Sequence, residues 1–159
     1  MAKPNIRLAV ATDLPAIERL CDVVQGLHAE VRPDVFRIPV DNDSRRAFLD
    51  RAISDDLWRL WVAETEGKTV AYLMTEVLHK EGPIRPPHTE GHLHQICVAP
   101  EFRRNGIGMA LIQSAIAELE TQKTDRITVA YWTFNSASMA LFEAVGFAPF
   151  LITSEFVRT

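Results

Sequence analysis

The stretch Arg103-Arg104-Asn105-Gly106-Ile107-Gly108 decides how the surrounding chain folds, because it separates a strand-like run from a helix-like run. Residues 92–98 precede it with strand-like composition, and residues 109–120 follow with apolar side chains at helical spacing. Two glycines at such a turn let backbone N–H groups approach an anion, and the helix N-terminus adds partial positive charge. The stretch predicts a cradle for a phosphate or pyrophosphate, although a plain surface turn explains two glycines nearly as well.

Length and composition limit the remaining choices. The 159 residues, of which 47% are hydrophobic, predict one domain spanning residues 1–159. A formal charge of −4 argues against a broad nucleic-acid surface and favours a small partner. Cys21 and Cys97 have no metal-ligand spacing, so we expect no metal site and a reducing cytoplasmic location. The sequence has neither a signal-peptide pattern nor an apolar run of the roughly 20 residues that span a bilayer.

The order of helix and strand patterns predicts the fold class. Strand patterns occupy residues 6–10, 57–64, 69–79, 92–98, 126–132, 147–150 and 152–157. Three helix patterns follow cap candidates near Asp13, Asp41 and Asn135, and a fourth follows the glycine stretch. Residues 28–39 and 80–89 are predicted to be loops. We therefore expect an α/β (mixed α+β) single domain, with a mixed sheet of about six or seven strands flanked by about four helices.

Two ordered blocks resemble the GCN5-related N-acetyltransferases, which move an acetyl group from acetyl-coenzyme A to an amine. The first block, Val98-Ala-Pro-Glu-Phe-Arg-Arg-Asn-Gly-Ile-Gly108, is similar to the lead-in and glycine loop after the family's fourth strand. The second, Asn135-Ser-Ala-Ser-Met-Ala-Leu-Phe-Glu-Ala-Val-Gly-Phe147, is similar to the family's later helix. The loop lacks the Gly-Lys-Ser/Thr ending of a nucleotide P-loop and the third glycine of a dinucleotide fingerprint.

The resemblance implies an acetyl-coenzyme A site. In this family the loop amides hold the pyrophosphate, and pantetheine lies along the fourth strand. By position, the resemblance implies coenzyme contacts at Ile96, Cys97, Val98, Arg103, Arg104, Asn105, Gly106, Ile107, Gly108, Met109, Asn135 and Phe142. The backbone N–H of Val98, where the family's fourth and fifth strands splay apart, is the expected oxyanion donor. Asn135 is also a good helix N-cap, and both roles can hold together.

The fourth strand also carries candidates for the base. An alkyl amine with a pKa of about 10.4 is almost fully protonated at pH 7, so a base is useful. His92 and His94 are the candidates, and His92-Leu-His94 resembles the His-x-His of the arylalkylamine N-acetyltransferases. Either histidine could instead be a packed strand residue. By the period of two, we expect one face of the strand to carry Glu90, His92, His94, Ile96 and Val98.

One position departs from the family. Phe142 stands where many members have a tyrosine that protonates the departing thiolate, and Tyr131, Ser138 or water could replace it. Cys97 is expected to be a buried hydrophobe rather than a nucleophile, and the family transfers directly in a ternary complex. The sequence leaves three functions open: an amine N-acetyltransferase, a non-catalytic coenzyme A-binding module, and a protein lysine or N-terminal acetyltransferase. A homodimer is plausible by family habit.

Overall fold

The computed structural model describes residues 3–37 and 41–156, and within them the chain forms one five-stranded sheet with helices on both faces. The strands are β1 (Asn5–Leu8), β2 (Trp58–Thr65), β3 (Lys68–Gly82), β4 (Arg85–Val98) and β5 (Arg126–Val129). The helices are α1 (Leu14–Val31), α2 (Asn42–Ser54), α3 (Ile107–Thr121) and α4 (Ser136–Val145). The sheet order is β1-β2-β3-β4-β5, antiparallel except for the parallel pair β4–β5. The predicted mixed class is confirmed, with five strands in the described residues rather than six or seven.

The sheet separates two apolar clusters. Leu73, Leu93 and Leu111 belong to the larger cluster, which packs α3 and α4 against one face of the sheet. Ile17 and Tyr72 belong to the second cluster, under α1 and α2 on the other face. Strands buried on both faces need apolar side chains in both directions, which is why β3 is continuously apolar from Val70 to Met74.

The helix ends follow the predicted caps at Asp41, Asn135 and Gly146, whereas Asp13 precedes α1 without a side-chain cap, because its carboxylate accepts hydrogen bonds from Arg7 and from the N–H of Val10. The Asp41 carboxylate accepts the N–H of Ser44 at 3.0 Å before α2, and the Asn135 side-chain oxygen accepts the N–H of Ser138 at 3.1 Å before α4. Gly146 ends α4 with φ of 112°, a left-handed conformation that favours glycine. These three predictions are confirmed, because short polar side chains and glycine satisfy helix ends through local geometry alone.

The predicted loop at residues 80–89 is wrong. β3 and β4 continue through it as a long hairpin arm, with Lys80 opposite His88 and Gly82 opposite Arg85. Pro86 and Pro87 lack an N–H, but they lie where the register shifts, so pairing resumes on either side of them. The other predicted loop also starts too early, because α1 continues to Val31; residues 38–40 lie outside the described residues.

The predicted C-terminal strands are also wrong as far as the structure describes them. Residues 147–156 form no strand, and β5 ends at Val129 rather than at residue 132. Their alternating apolar pattern favours a strand, but a strand needs a partner, and Pro149 cannot donate to a ladder. Phe150 and Ile152 are accordingly 72% and 82% exposed. Val157 lies outside the described residues.

Candidate active site

The candidate site is a cleft where β4 and β5 separate. The two strands pair over only four residues, and the last pairs are His92–Thr128 and Leu93–Val129. Beyond these pairs the chain opens into a cleft bordered by α1, β4, the segment after β5 and α4. Its lining includes His28, His94, Ile96, Tyr131, Ser138 and Phe142.

A β-bulge at His94 changes which way the β4 side chains point. Gln95 pairs with Met74 and Leu93 pairs with Thr75, so His94 is an extra residue without a partner on β3. The expectation that one face carries all five alternating residues is therefore wrong. Ile96 and Val98 pack against the α3–α4 cluster, whereas His94 stacks on a tryptophan, Trp58, that packs against the α1–α2 cluster.

The glycine stretch forms an open cradle at the start of α3. Gly106 is the N-cap with φ of 75° and provides no side-chain cap, so side chains leave the first N–H groups of the helix free. The Asn105 side chain donates to the carbonyls of Phe102 and Arg103 at 3.2 and 3.0 Å, which fixes the turn. A Cβ on Gly108 would lie 3.1 Å from Leu141, so close packing of α3 on α4 explains the second glycine. These amides, with Arg103 and Arg104 beside them, fit a pyrophosphate.

The backbone at Val98 faces the opening. The N–H of Ala99 donates to the Val70 carbonyl of β3 at 2.9 Å. Successive residues of an antiparallel strand point their N–H groups alternately toward and away from the partner, so the N–H of Val98 points away from β3. Nε of Arg103 donates to the Val98 carbonyl at 2.9 Å and holds this peptide in place.

His92 is half-buried behind His94. Its Nδ1 lies 2.8 Å from Oγ1 of Thr128, directly across the β4–β5 pair. Burial first, and then the charge of His94, lowers the pKa of His92, although the carboxylate of Glu90 acts in the opposite direction. A lowered pKa leaves the ring neutral at pH 7, the form that can accept a proton.

His94 lies on the wall of the cleft. Its Nε2 is 2.8 Å from Oε2 of Glu76, and its ring stacks on Trp58 with centroids 4.7 Å apart. The centroids of His94 and His92 are 4.6 Å apart, so the two rings touch. The structure brings both predicted histidines together and adds two partners, Glu76 and Thr128. Sequence reasoning did not select these partners because both lie on neighbouring strands.

Tyr131 and Phe142 form the opposite wall. Their rings stack with centroids 5.6 Å apart and an interplanar angle of 12°. Phe142 is buried, so its edge reaches the cleft only beside Tyr131 and Ser138. The hydroxyl groups of Tyr131 and Ser138 thus line the same cleft as Phe142, whose own side chain has no proton to donate.

Cys97 faces away from the side of the sheet on which Ile96 and Val98 pack. Its side chain is buried in the α1–α2 cluster, so only its main chain is left for a ligand along Ile96 and Val98. Burial, only partly countered by Arg103, raises the pKa of the Cys97 thiol to about 11. Such a thiol stays protonated at neutral pH and is a poor nucleophile.

Aromatic rings close the α1 end of the cleft. His28 lies 4.8 Å from Phe36 and 5.8 Å from Phe134, measured between ring centroids. The guanidinium of Arg32 stands 5.7 Å above the ring of Trp132. This end of the cleft is therefore aromatic, and the cation above Trp132 is neutralised by ion pairs with Asp34 and Glu155 at 2.7 and 3.1 Å.

Two features are absent from the described part of the chain. Among residues 3–37 and 41–156, no group of three or more His, Cys, Asp or Glu side chains is placed to hold a metal ion. No helix in the same residues is both long and apolar enough to cross a membrane.

The comparison with known families identifies the class of this fold and site. The model of the Acetyltransferase (GNAT) family matches residues 25–147, so the chain belongs to this family. The ribosomal protein bS18-alanine N-acetyltransferase of Escherichia coli K12 is 32% identical over 81 residues, which are 51% of this chain and 49% of that protein. An N-alpha-acetyltransferase of Sulfurisphaera tokodaii is 29% identical over 91 residues, 55% of this chain and 54% of that protein. The chain spans about half the length of these curated relatives.

Solved structures share the fold at low identity. A tetramutant of the BH1408 protein from Bacillus halodurans has a TM-score of 0.89 at 23% identity, covering 97% of this chain and 99% of that one. AAC(6')-Iy in complex with the bisubstrate analog CoA-S-monomethyl-acetylneamine has a TM-score of 0.80 at 16% identity, covering 99% of both chains. At these identities the likeness shows the fold alone.

Proposed function

We propose that this chain is an acetyl-coenzyme A-dependent N-acetyltransferase that moves an acetyl group to a primary amine by direct attack in a ternary complex. The observation that carries the proposal is the cleft between β4 and β5. Ile96 lines it from the α3–α4 side, two residues before Val98 and the strand end that leads to the amide cradle, while His94, with His92 in contact behind it, lines it from the α1–α2 side. Donor and acceptor can therefore enter from opposite faces of the sheet and meet between the strands.

The donor side is proposed to hold the coenzyme along the cradle and the end of β4. The amides of Gly106, Ile107, Gly108 and Met109 would bind pyrophosphate oxygens, with Arg103 and Arg104 as cations and Asn105 fixing the turn. Pantetheine would follow Ile96, Val98 and the main chain of Cys97, with Asn135 and Phe142 opposite. When bound, acetyl-coenzyme A supplies a thioester carbonyl that an uncharged amine can attack.

His92 is the proposed base. Nε2 of His94 is already engaged by Glu76, whereas the hydrogen bond of His92 uses Nδ1 and leaves Nε2 available. His92 lies one ring behind the cleft wall, so we propose that the proton reaches it through water held beside His94. His94 then orients this path and is the second candidate for the base.

Two further groups handle the charge that develops during transfer. The N–H of Val98, directed into the opening, is the proposed donor to the oxyanion. The proton for the departing thiolate is proposed to come from Tyr131 or from water, because Phe142 has none to give. Direct transfer is supported by the buried Cys97, whose thiol pKa of about 11 disfavours an acyl-enzyme.

The N-terminal amine of a protein is the second candidate acceptor. This is favoured by the two curated relatives, which are named as a ribosomal protein bS18-alanine N-acetyltransferase and an N-alpha-acetyltransferase. An α-amino group has a pKa of about 7.7–8.0, so it needs less help from a base than a lysine at about 10.4.

Release of free thiol from acetyl-coenzyme A tests the function. The panel contains alkyl and aryl amines, polyamines, aminoglycosides, and peptides with free or blocked N-termini. Turnover with any of them supports transfer and dismisses a non-catalytic binding module, whereas calorimetry without saturable acetyl-coenzyme A binding would refute both. His92→Gln should flatten the pH dependence of kcat/KM, with His79→Gln, on the exposed arm, as the matched control.

A homodimer in a reducing cytoplasm is proposed as the state of the protein. Apolar side chains near the C-terminus are 72–88% exposed, which is unusual for a monomer: Phe150, Leu151, Ile152 and Phe156. Within the described residues β5 pairs only with β4, so its outer edge could accept this segment from a second copy. Light scattering after gel filtration should give a dimer that Phe150→Ser with Ile152→Ser weakens. The two buried free cysteines are compatible with a reducing compartment.

A further inference from the structure

A buried carboxylate lies two residues before His92 and accepts two hydrogen bonds on one of its oxygens. Glu90 is only 6% exposed, and its Oε1 accepts a hydrogen bond from Nζ of Lys80 at 2.8 Å and another from Oγ1 of Thr128 at 2.7 Å. Burial acts to raise the pKa of Glu90, but the hydrogen bonds from Lys80 and Thr128 together outweigh it and lower the pKa. The carboxylate is therefore ionised at neutral pH.

An ionised carboxylate only accepts hydrogen bonds, and this fixes which atom donates in each hydrogen bond that links Glu90, Thr128 and His92. The single hydroxyl proton of Thr128 goes to Glu90, so the Thr128 oxygen has only lone pairs left for its other neighbour. That neighbour is Nδ1 of His92 at 2.8 Å, which must then carry a proton and donate it. The neutral ring consequently keeps its free lone pair on Nε2.

We propose that Thr128 and Glu90 are positioning residues, which hold the His92 ring with its proton on Nδ1 and leave Nε2 to accept the proton of the amine. This inference rests on the proposed function for its role, although the tautomer can be tested without it. The register supports it, because Thr128 is the direct partner of His92 in the parallel pair and Glu90 is two residues away on the same face.

The groups around His92 come from three strands. His94 and Glu90 lie on β4 with it, Lys80 and Glu76 face it from β3, and Thr128 faces it from β5. The charges of His94 and Lys80 lower the pKa of His92, and those of Glu90 and Glu76 raise it. Replacing the uncharged Thr128 therefore changes the tautomer while leaving this set of charges intact.

The same geometry assigns opposite tautomers to the two histidines. His94 donates from Nε2 to the Glu76 carboxylate, so its proton lies on Nε2, whereas that of His92 lies on Nδ1. Nitrogen-15 NMR of the histidine side chains at alkaline pH separates the two forms, and His94 serves as an internal control. Finding His92 of the unaltered protein with its proton on Nε2 would overturn the inference, even if every variant failed to fold.

Thr128→Val and Thr128→Ser test the contact. Valine keeps the shape and removes the hydroxyl, so His92 should lose its Nδ1–H preference and kcat/KM should fall about tenfold or more, with the KM for acetyl-coenzyme A unchanged. Serine should restore both readouts, and in a His92→Gln background valine should have no further effect. If the His92 spectrum of Thr128→Val is the same as that of the unaltered protein, the positioning role is refuted. If the spectrum of the variant shifts but the unaltered protein shows no turnover with any amine, the proposed function is refuted instead.

Discussion

The two ends of α3 offer a matched test of the anion cradle. Arg104 lies in the cradle with φ of 63°, and Lys123 follows the other end of the helix with φ of 55°. Each is a basic residue in a left-handed conformation, and neither side chain has a hydrogen bond or ion pair within the described residues. Replacing either by glycine removes one positive charge and relieves the same kind of backbone strain. Fifteen residues of helix place the two sites about 22 Å apart.

The stability changes of the two variants should be alike. A non-glycine residue in this conformation costs about 1 kcal/mol, and glycine regains that amount in the folded state. Glycine also gives the unfolded chain more freedom, which costs about 0.5–1 kcal/mol. We therefore expect the free energies of unfolding of Arg104→Gly and Lys123→Gly to lie within about 1 kcal/mol of the unaltered protein, measured by urea denaturation.

The affinity for coenzyme A should distinguish Arg104→Gly from Lys123→Gly. An exposed contact between a guanidinium and a phosphate contributes about 1 kcal/mol, so Arg104→Gly should weaken coenzyme A binding about fivefold at about 0.1 M salt. Lys123 lies beyond the Debye length of about 10 Å at this salt concentration, so Lys123→Gly should leave the Kd unchanged. Calorimetric titration at about 0.1 M salt and above measures both Kd values. Equal weakening by the two variants, or none in Arg104→Gly, would refute the placement of the anion at this loop.

A buried carboxylate, a tight strand–helix contact and a buried thiol provide three further predictions. The hydrogen bond from Arg7 is the main cause that lowers the pKa of the Asp13 carboxyl from 3.8 to about 2. The ionised carboxylate therefore stabilises the fold fully above pH 3.8, and this stabilisation is lost as the pH falls through about 2. Asp13→Asn should therefore lower the free energy of unfolding at pH 7 and flatten its change between about pH 4 and pH 2 in urea titrations. A Cβ on Gly91 would lie 2.7 Å from Leu119, so Gly91→Ala should lower the free energy of unfolding by about 1–2 kcal/mol. A Cβ on Gly26, in α1, would have no atom within 4 Å, so Gly26→Ala should raise the free energy of unfolding by about 0.5–1 kcal/mol. Equal melting temperatures of the two variants would contradict this. Native Cys97, with a thiol pKa of about 11, should react with iodoacetamide far more slowly at pH 7 than the unfolded chain does, as measured by mass spectrometry.

Local rules account for the parts of the fold that the sequence predicted. The caps at Asp41 and Asn135, the stop at Gly146 and the cradle at Gly106 each depend on a few neighbouring residues, so the sequence shows them directly. The mixed sheet and its four helices follow from apolar periodicity in the same way.

Long-range pairing accounts for the parts that it did not predict. The bulge at His94 depends on where β3 places Met74 and Thr75, and the alternation of β4 gives no sign of it. The contact between His92 and Thr128 joins residues 36 positions apart in the chain. The hairpin arm likewise required pairing across Pro86 and Pro87, which local rules read as a loop.

The extra residue in β4 also bears on how such a protein can diversify. Before the bulge the strand presents Glu90 and His92 to one side of the sheet, and after it Ile96 and Val98 face the other side. Under the proposed function, substitutions in the first half of β4 act on the base and its partner Glu90, and substitutions in the second half act on the groups proposed to hold the coenzyme. Deleting His94 would leave Leu93 and Gln95 paired with the neighbouring residues Thr75 and Met74, so both halves of the strand would keep their sides of the sheet, and the strand would lose the part of the cleft wall that His94 provides.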